Sequence, residues 1–193
     1  MKLKKNIFVF AVASLFIQGC SDRMDYNELT EYNKEQVFSS FDRARQFVTN
    51  IYSMMENGLQ GYDNGATLAS ACDEAVCAWE GSNVNYFFNG AWSSLKPLTS
   101  TWSDSYWAIR ACNFYLENCN DYTFEDYKYN KDYLDQMERY NRYQYEVRFL
   151  RAYFYFNLVR TYGDVPLIKE TLTDKEANSV SRTSSEDVFS FYR

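Results

Sequence analysis

The chain has 193 residues, 46% of them hydrophobic, which is enough to bury one moderate core and too apolar for a disordered tail. A formal net charge of -6 argues against wrapping a phosphate backbone, so nucleic acid is not an expected partner. Histidine is absent altogether, which removes the commonest general base, the Ser-His and Cys-His nucleophile pairs and every imidazole zinc site.

At the N-terminus, Lys2, Lys4 and Lys5 precede an apolar run from Ile7 to Ile17. That run is shorter than the roughly 20 residues of a transmembrane helix and has the layout of a secretory signal. It ends in Gln18, Gly19 and Cys20, a small residue before a cysteine, as at the processing site of bacterial lipoproteins. Residues 1–19 are therefore expected to be a lipoprotein signal peptide, leaving Cys20 as an acylated first residue. Each buried methylene of an acyl chain contributes about 0.8 kcal/mol, so the protein would be anchored to a membrane without spanning it. Residues 20–36 are polar, with no sustained apolar period, and are expected to form a tether; residues 37–193 are the folded part.

From Phe41 the apolar positions Phe41, Ala44, Phe47, Val48, Ile51, Tyr52 and Met55 follow one helix face, with Ser39 or Ser40 as cap and Gly58 as stop. A short helix is expected around Cys72, where Asp73 and Glu74 are adjacent and so point about 100° apart, unsuited to a general acid and base facing one bond. Residues 80–100 read as a long polar loop studded with rings. Helix resumes at Trp102, with Trp102, Tyr106, Ile109, Asn113 and Leu116 on one stripe after a Ser100 or Thr101 cap. From about Asn130 a second helix of roughly thirty residues runs to Gly163, a positive-φ stop, and Val165 before Pro166 must be extended. The segment from Glu146 to Tyr162 is apolar in every sector, which predicts burial between neighbouring helices. Its Arg148 and Arg151 are expected to pair with carboxylates or to cap backbone carbonyls. The preceding Tyr122 to Tyr145, where rings alternate with charges, reads as half-buried packing with wet hydroxyls. After an irregular segment, Thr183 and Glu186 form a capping box for a final amphipathic run at Val188, Phe189 and Tyr192. Because the chain stops soon after that cap, it is expected to be the N-terminal part of a longer domain.

Four cysteines besides Cys20 allow three disulfide pairings. On one helix, Cys112 and Cys119 would be about 10.5 Å apart, beyond the roughly 7 Å reach of a bridge. No C-x-x-C metal spacing occurs, so Cys72, Cys77, Cys112 and Cys119 read as small buried residues, and neither metal nor cofactor is expected.

The stretch "RFLRAYFYFNLVRTYGDVPL", Arg148 to Leu167, resembles the signature of the SusD/RagB family of outer-membrane nutrient-binding lipoproteins. In the same order, "NIYSMMENG", "SACDEA", "WSDSYWAIRACNFYLENC" and "SRTSSEDVFSFYR" are similar to further family segments; Gln18 and Cys112 depart from the usual pattern. The resemblance implies an all-α, TPR-like helix-pair scaffold with long ligand-binding loops. It also implies a non-enzymatic surface lipoprotein that binds oligosaccharide, or in some members peptide, and delivers it to a SusC-like TonB-dependent transporter. A scaffold that only organises the transporter complex is the remaining alternative.

Sugars present an apolar C-H face together with hydroxyls, and need rings and amides to hold them. The loop from Trp79 to Trp92 carries both: Trp79, Tyr86, Phe87, Phe88 and Trp92 as platforms, with Asn83, Asn85 and Asn89 as donor and acceptor pairs. Its location before the Trp102 helix matches a loop that, by the resemblance, contributes to the ligand site. If Cys20 is the acylation site, Cys20→Ser abolishes incorporation of a fatty-acid probe; retained labelling refutes it.

Overall fold

The computed structural model describes residues 33–56, 63, 66–91, 93 and 101–192; the signal segment, Cys20 and Trp92 lie outside them. A short helix, α1 (Lys34–Phe38), begins inside the stretch read as a tether. Its last residue, Phe38, is fully buried among the rings of Phe47, Phe114, Tyr115 and Tyr122, so this turn belongs to the core. α2 (Phe41–Ser53) buries Phe41, Ala44, Val48 and Ile51, the spacing its sequence dictates, and stops before Gly58 as the Met54 N–H folds back onto the Ile51 carbonyl. Around Cys72 there is only a 3₁₀ turn, Leu68–Ala71, in place of the expected helix. Beyond that turn Asp73, Glu74 and Val76 are exposed, and so short a helix with little apolar surface to bury is not stable. The expected loop, conversely, contains a turn at Asn83–Asn85 that runs into α3 (Tyr86–Asn89), ended by Gly90 at φ +72.

α4 (Trp102–Asn118) and α5 (Tyr133–Tyr162) form the central pair. They run antiparallel: Thr101 meets Tyr162, Asn113 meets Arg151, and the Tyr140 hydroxyl donates to the Cys119 carbonyl at 2.6 Å. α2 lies along α5 in the same direction, since Phe41 packs on Tyr140 while the Tyr52 hydroxyl donates to Glu146 further along. The main core lies between these three helices, around Val48, Ile51, Ile109, Tyr115, Leu150 and Leu158. A smaller, mostly aromatic cluster forms where Phe41 stacks on Phe124 at 4.0 Å beside Tyr140. The Tyr-rich stretch is thus divided: Tyr140 is buried and bonded to backbone, whereas Tyr129 and Tyr145 are exposed.

Burial of α5 on every side is not what the structure shows. Tyr145, Phe149 and Phe156, spaced four and seven residues apart, form an exposed stripe, with Phe149 65% exposed. The wheel identifies which sectors are apolar, but burial also requires a neighbour, and among the described residues only α2 and α4 flank this helix extensively. Arg148 and Arg160 lie over the Tyr145 and Phe156 rings, each 5.9 Å from the centroid, covering part of that stripe with cations. The four thiols are unpaired; Cys72 is exposed, Cys77 half-buried, and Cys112 and Cys119 buried. Burial pushes the Cys112 thiol up to about 12, so it remains a neutral core residue.

After α5, Gly163 takes φ +70 and an extended strap follows. Val165 pairs with Thr183 through two backbone hydrogen bonds of 3.2 and 3.0 Å. Because that pairing occupies the Thr183 backbone, the cap of α7 (Ser185–Phe191) moves one residue on from the expected box. Ser184 accepts from the Asp187 N–H, and the Asp164 carboxylate accepts from the Ser185 N–H at 2.9 Å. A capping box does occur earlier, where Thr173 and Glu176 start α6 (Asp174–Ala177), a T-x-x-E pattern overlooked in the reading of the sequence.

Among the described residues no strand pairs with residues 166–172, and side chains of α4 and α5 serve instead. The Tyr106 hydroxyl donates to the Pro166 carbonyl at 2.8 Å. Tyr155 bonds both sides of Ile168, accepting from its N–H at 2.7 Å and donating to its carbonyl at 3.1 Å. Burial raises that phenol to about 12, so the proton needed for the second bond is retained. Fully buried Asn113 donates to the Ile168 and Glu170 carbonyls at 3.2 and 3.1 Å and accepts from Arg151 at 2.7 Å. Glu117 accepts from the Thr171 N–H, and Arg110 donates to the Leu172 carbonyl. Arg151 thus meets an amide oxygen, the Lys169 carbonyl at 3.5 Å and the rings of Phe191 and Tyr192, so of the two expected roles it takes the carbonyl one, and among the described residues no carboxylate pairs with it. Asn113→Leu strands the Glu170 carbonyl, at about 1–3 kcal/mol for an unsatisfied buried group, and leaves the Ile168 carbonyl to Tyr155 alone and Arg151 to the Lys169 carbonyl. The expected outcome is a lower urea midpoint together with faster amide exchange at Ile168 and Thr171.

Candidate functional site

The loop between α2 and α4 carries few apolar anchors, Val84 being its one fully buried side chain among the described residues. Its shape is set by polar groups, chiefly Asp63. One carboxylate oxygen of Asp63 accepts from the Ser82 hydroxyl at 2.8 Å and from the Asn83 N–H at 2.5 Å, and the other accepts from the Asn83 side-chain amide at 3.2 Å. Paired backbone hydrogen bonds with Ala66 hold Asp63 itself. The Ser82 hydroxyl bond, with the two from Asn83, keeps the Asp63 carboxyl below its usual range.

Trp79 is 52% exposed and lies against Gly81, where a Cβ would come within 2.9 Å of two indole ring atoms. Only glycine permits that approach, which braces one part of the indole against backbone and leaves the rest open to solvent. The side-chain amide of Asn85 donates to the carbonyls of Trp79 and Glu80 at 3.0 and 3.3 Å, fixing the chain beneath the ring. Asn89 accepts from the Ala91 N–H at 2.9 Å, closing the turn after α3. Each expected asparagine therefore spends half of its amide on the loop, and the other half makes no hydrogen bond among the described residues. Tyr86 and Phe87 are half-buried, while Phe88, on the same turn, is 55% exposed. The structure brings Trp79, Asn83, Asn85 and α3 into one folded loop, and Trp92 falls outside the described residues. Asp63 and Gly81 were missed by sequence reasoning, since a lone Asp 19 residues from its serine partner leaves no local signal.

Among the described residues no group of His, Cys, Asp and Glu could hold a metal ion, and no helix is long and apolar enough to cross a membrane. An exposed indole on a loop that also carries half-free amides suits a ligand with apolar and hydroxyl surfaces together.

A family model described as "SusD-like_3: Starch-binding associating with outer membrane" matches residues 25–190. Two curated relatives from Formosa agariphila are similar: SusD-like protein P25, 28% identical over 98% of this chain, and SusD-like protein P2, 25% identical over 97%. The chain spans 36% of the length of each. Among solved structures, a SusD-like protein from Bacteroides fragilis superposes with a TM-score of 0.57 at 25% identity, over 83% of this chain and 29% of that one. A SusD-like carbohydrate-binding protein from the same species gives a TM-score of 0.59 at 23% identity, over 81% and 30% of the two chains. A laminarin-binding SusD-like protein gives 0.54 at 24% identity, over 78% and 32%. These likenesses bear out the all-α, TPR-like fold class.

Asp63 has a depressed carboxyl, so its support of the loop is complete above the ordinary value of about 3.9 and is lost as pH falls through the lower value it has in the fold. Acidification is expected to accelerate amide exchange at Asn83 and Val84 before the helices unfold. Asp63→Asn should produce that loosened loop already at neutral pH.

Proposed function

The chain belongs to the SusD-like family, and on that premise we propose that it forms part of a cell-surface lipoprotein which captures oligosaccharide or polysaccharide and delivers it to a SusC-like TonB-dependent transporter. In this reading Cys20 carries the lipid anchor and the protein faces the cell exterior. It acts by binding, with no chemistry of its own. The observation that supports the reading best is the Trp79 indole, half exposed and braced on Gly81, on a loop whose Asn83 and Asn85 amides are fixed by Asp63 and by the Trp79 backbone. A pyranose ring can lay its C-H face on such an indole while its hydroxyls reach the free halves of the amides. Because Asp63 and Asn85 hold the loop before ligand arrives, less ordering entropy opposes binding. The starch-binding description of the family model and the laminarin-binding neighbour support a glucan as the cargo in this reading.

The test is calorimetry on the full protein with starch oligosaccharides, laminarin oligosaccharides and a set of peptides. Heat with at least one glucan and none with peptides is expected, and Trp79→Ala should weaken that binding about 3- to 10-fold, the worth of one aromatic contact. Binding of peptides alone would replace the glycan reading with peptide capture.

A further inference from the structure

α4 presents a second aromatic surface, walled by the strap rather than by the 79–93 loop. Trp102, Trp107 and Arg110 on the helix face Ile168, Leu172 and Asp174 across a groove of about 420 Å³. That volume lies within the range of small-molecule sites. The two tryptophans differ in role. Trp102 is half-buried, edged by Tyr162 at 5.1 Å, close to Tyr106 at 5.0 Å, and lies under Arg182, so it is part of the wall. Trp107 is 67% exposed, belongs to neither core cluster, and has no ring or cation against it among the described residues. A large indole left at the mouth of a groove is not explained by packing.

The polar groups around it are of both signs. Arg110 uses one guanidinium nitrogen on the Leu172 carbonyl, which leaves further N–H donors of its fork. The Asp174 carboxylate makes no hydrogen bond among the described residues, and Glu170 also lines the groove. Both walls are set in place beforehand: α4 is core helix, and the strap is held by Asn113, Tyr155 and Arg110. An exposed ring, donors and acceptors around one preformed cleft suit a molecule with an apolar face and a rim of hydroxyls. The two carboxylates against one cation disfavour acidic sugars.

We propose that this groove is a second glycan-binding site, taking a neutral hexose unit of an oligosaccharide with Trp107 as the platform and Arg110 and Asp174 as hydroxyl partners. The proposal rests on the glycan reading above and adds to it a site remote in sequence from Trp79. Two sites on one chain would let a polymeric ligand engage at two points, so that release from one does not free it.

The experiment uses the full protein with maltoheptaose and with laminarin oligosaccharides, measured by calorimetry for Trp107→Ala, Trp107→Phe, Asp174→Asn, Trp79→Ala and the double Trp79→Ala/Trp107→Ala variant. Trp107 is exposed, so its replacement leaves the thermal transition in place and a loss of binding is not a loss of fold. With the site present, Trp79→Ala keeps residual glycan binding, and Trp107→Ala lowers affinity or stoichiometry about as much as Trp79→Ala does. Trp107→Phe and Asp174→Asn give intermediate losses, and the double variant binds more weakly than either single variant. Wild-type affinity and stoichiometry in Trp107→Ala, with the loss confined to Trp79→Ala, overturns the second site and leaves the glycan reading standing. Absence of heat from the wild type with both glucans overturns the glycan reading itself, and the second site with it.

Discussion

A buried or half-buried extended segment needs a partner for every N–H and carbonyl, and among the described residues no sheet lies beside the strap from Pro166 to Leu172. The need is met by side chains projecting from two helices at matching heights: Tyr106, Arg110, Asn113 and Glu117 from α4, Tyr155 and Arg151 from α5. Those positions on α4 are spaced about one turn apart, so a single helix face reads out along the strap as a neighbouring strand would. The antiparallel pairing of α4 and α5 is what brings the second set into reach. Once the strap is held, Val165 can pair with Thr183, and that pairing in turn decides where α7 starts.

The candidate loop follows the same logic on a smaller scale. It has almost no core of its own, and a carboxylate at Asp63 with an amide at Asn85 fixes backbone that no helix or sheet would otherwise support. Polar bonds of this kind orient the loop without hiding its rings. A binding surface needs that combination, because an aromatic platform is of use only while its face stays wet and its position stays fixed.

The rings of this protein therefore divide by their surroundings. Tyr115, Tyr155 and Phe154 are core, Phe41 and Phe124 stack in a satellite cluster, and Trp79, Phe88 and Trp107 stand at the surface beside polar groups. The exposed stripe of Tyr145, Phe149 and Phe156 on α5 belongs to none of these, with two arginines lying across it.

By itself the sequence determined the helices with strong periodicity, the thirty-residue span of α5, the stop at Gly163 and the extended Val165, because each depends on local spacing or on the φ limits of glycine and proline. The family resemblance, too, was legible in the order of its motifs. Only the tertiary structure decided what depends on a distant partner. Asn113 looked like one more member of a helix stripe, and its value lies in carbonyls 55 and 57 residues away. The cap of α7 moved because Thr183 was claimed by Val165, and the Cys72 segment forms only a 3₁₀ turn because Asp73, Glu74 and Val76 beyond it make up no apolar face to bury. In the candidate loop, residue types suited to a sugar could be read from composition, but which half of each asparagine is free was decided by Asp63, Trp79 and Ala91 in the folded loop.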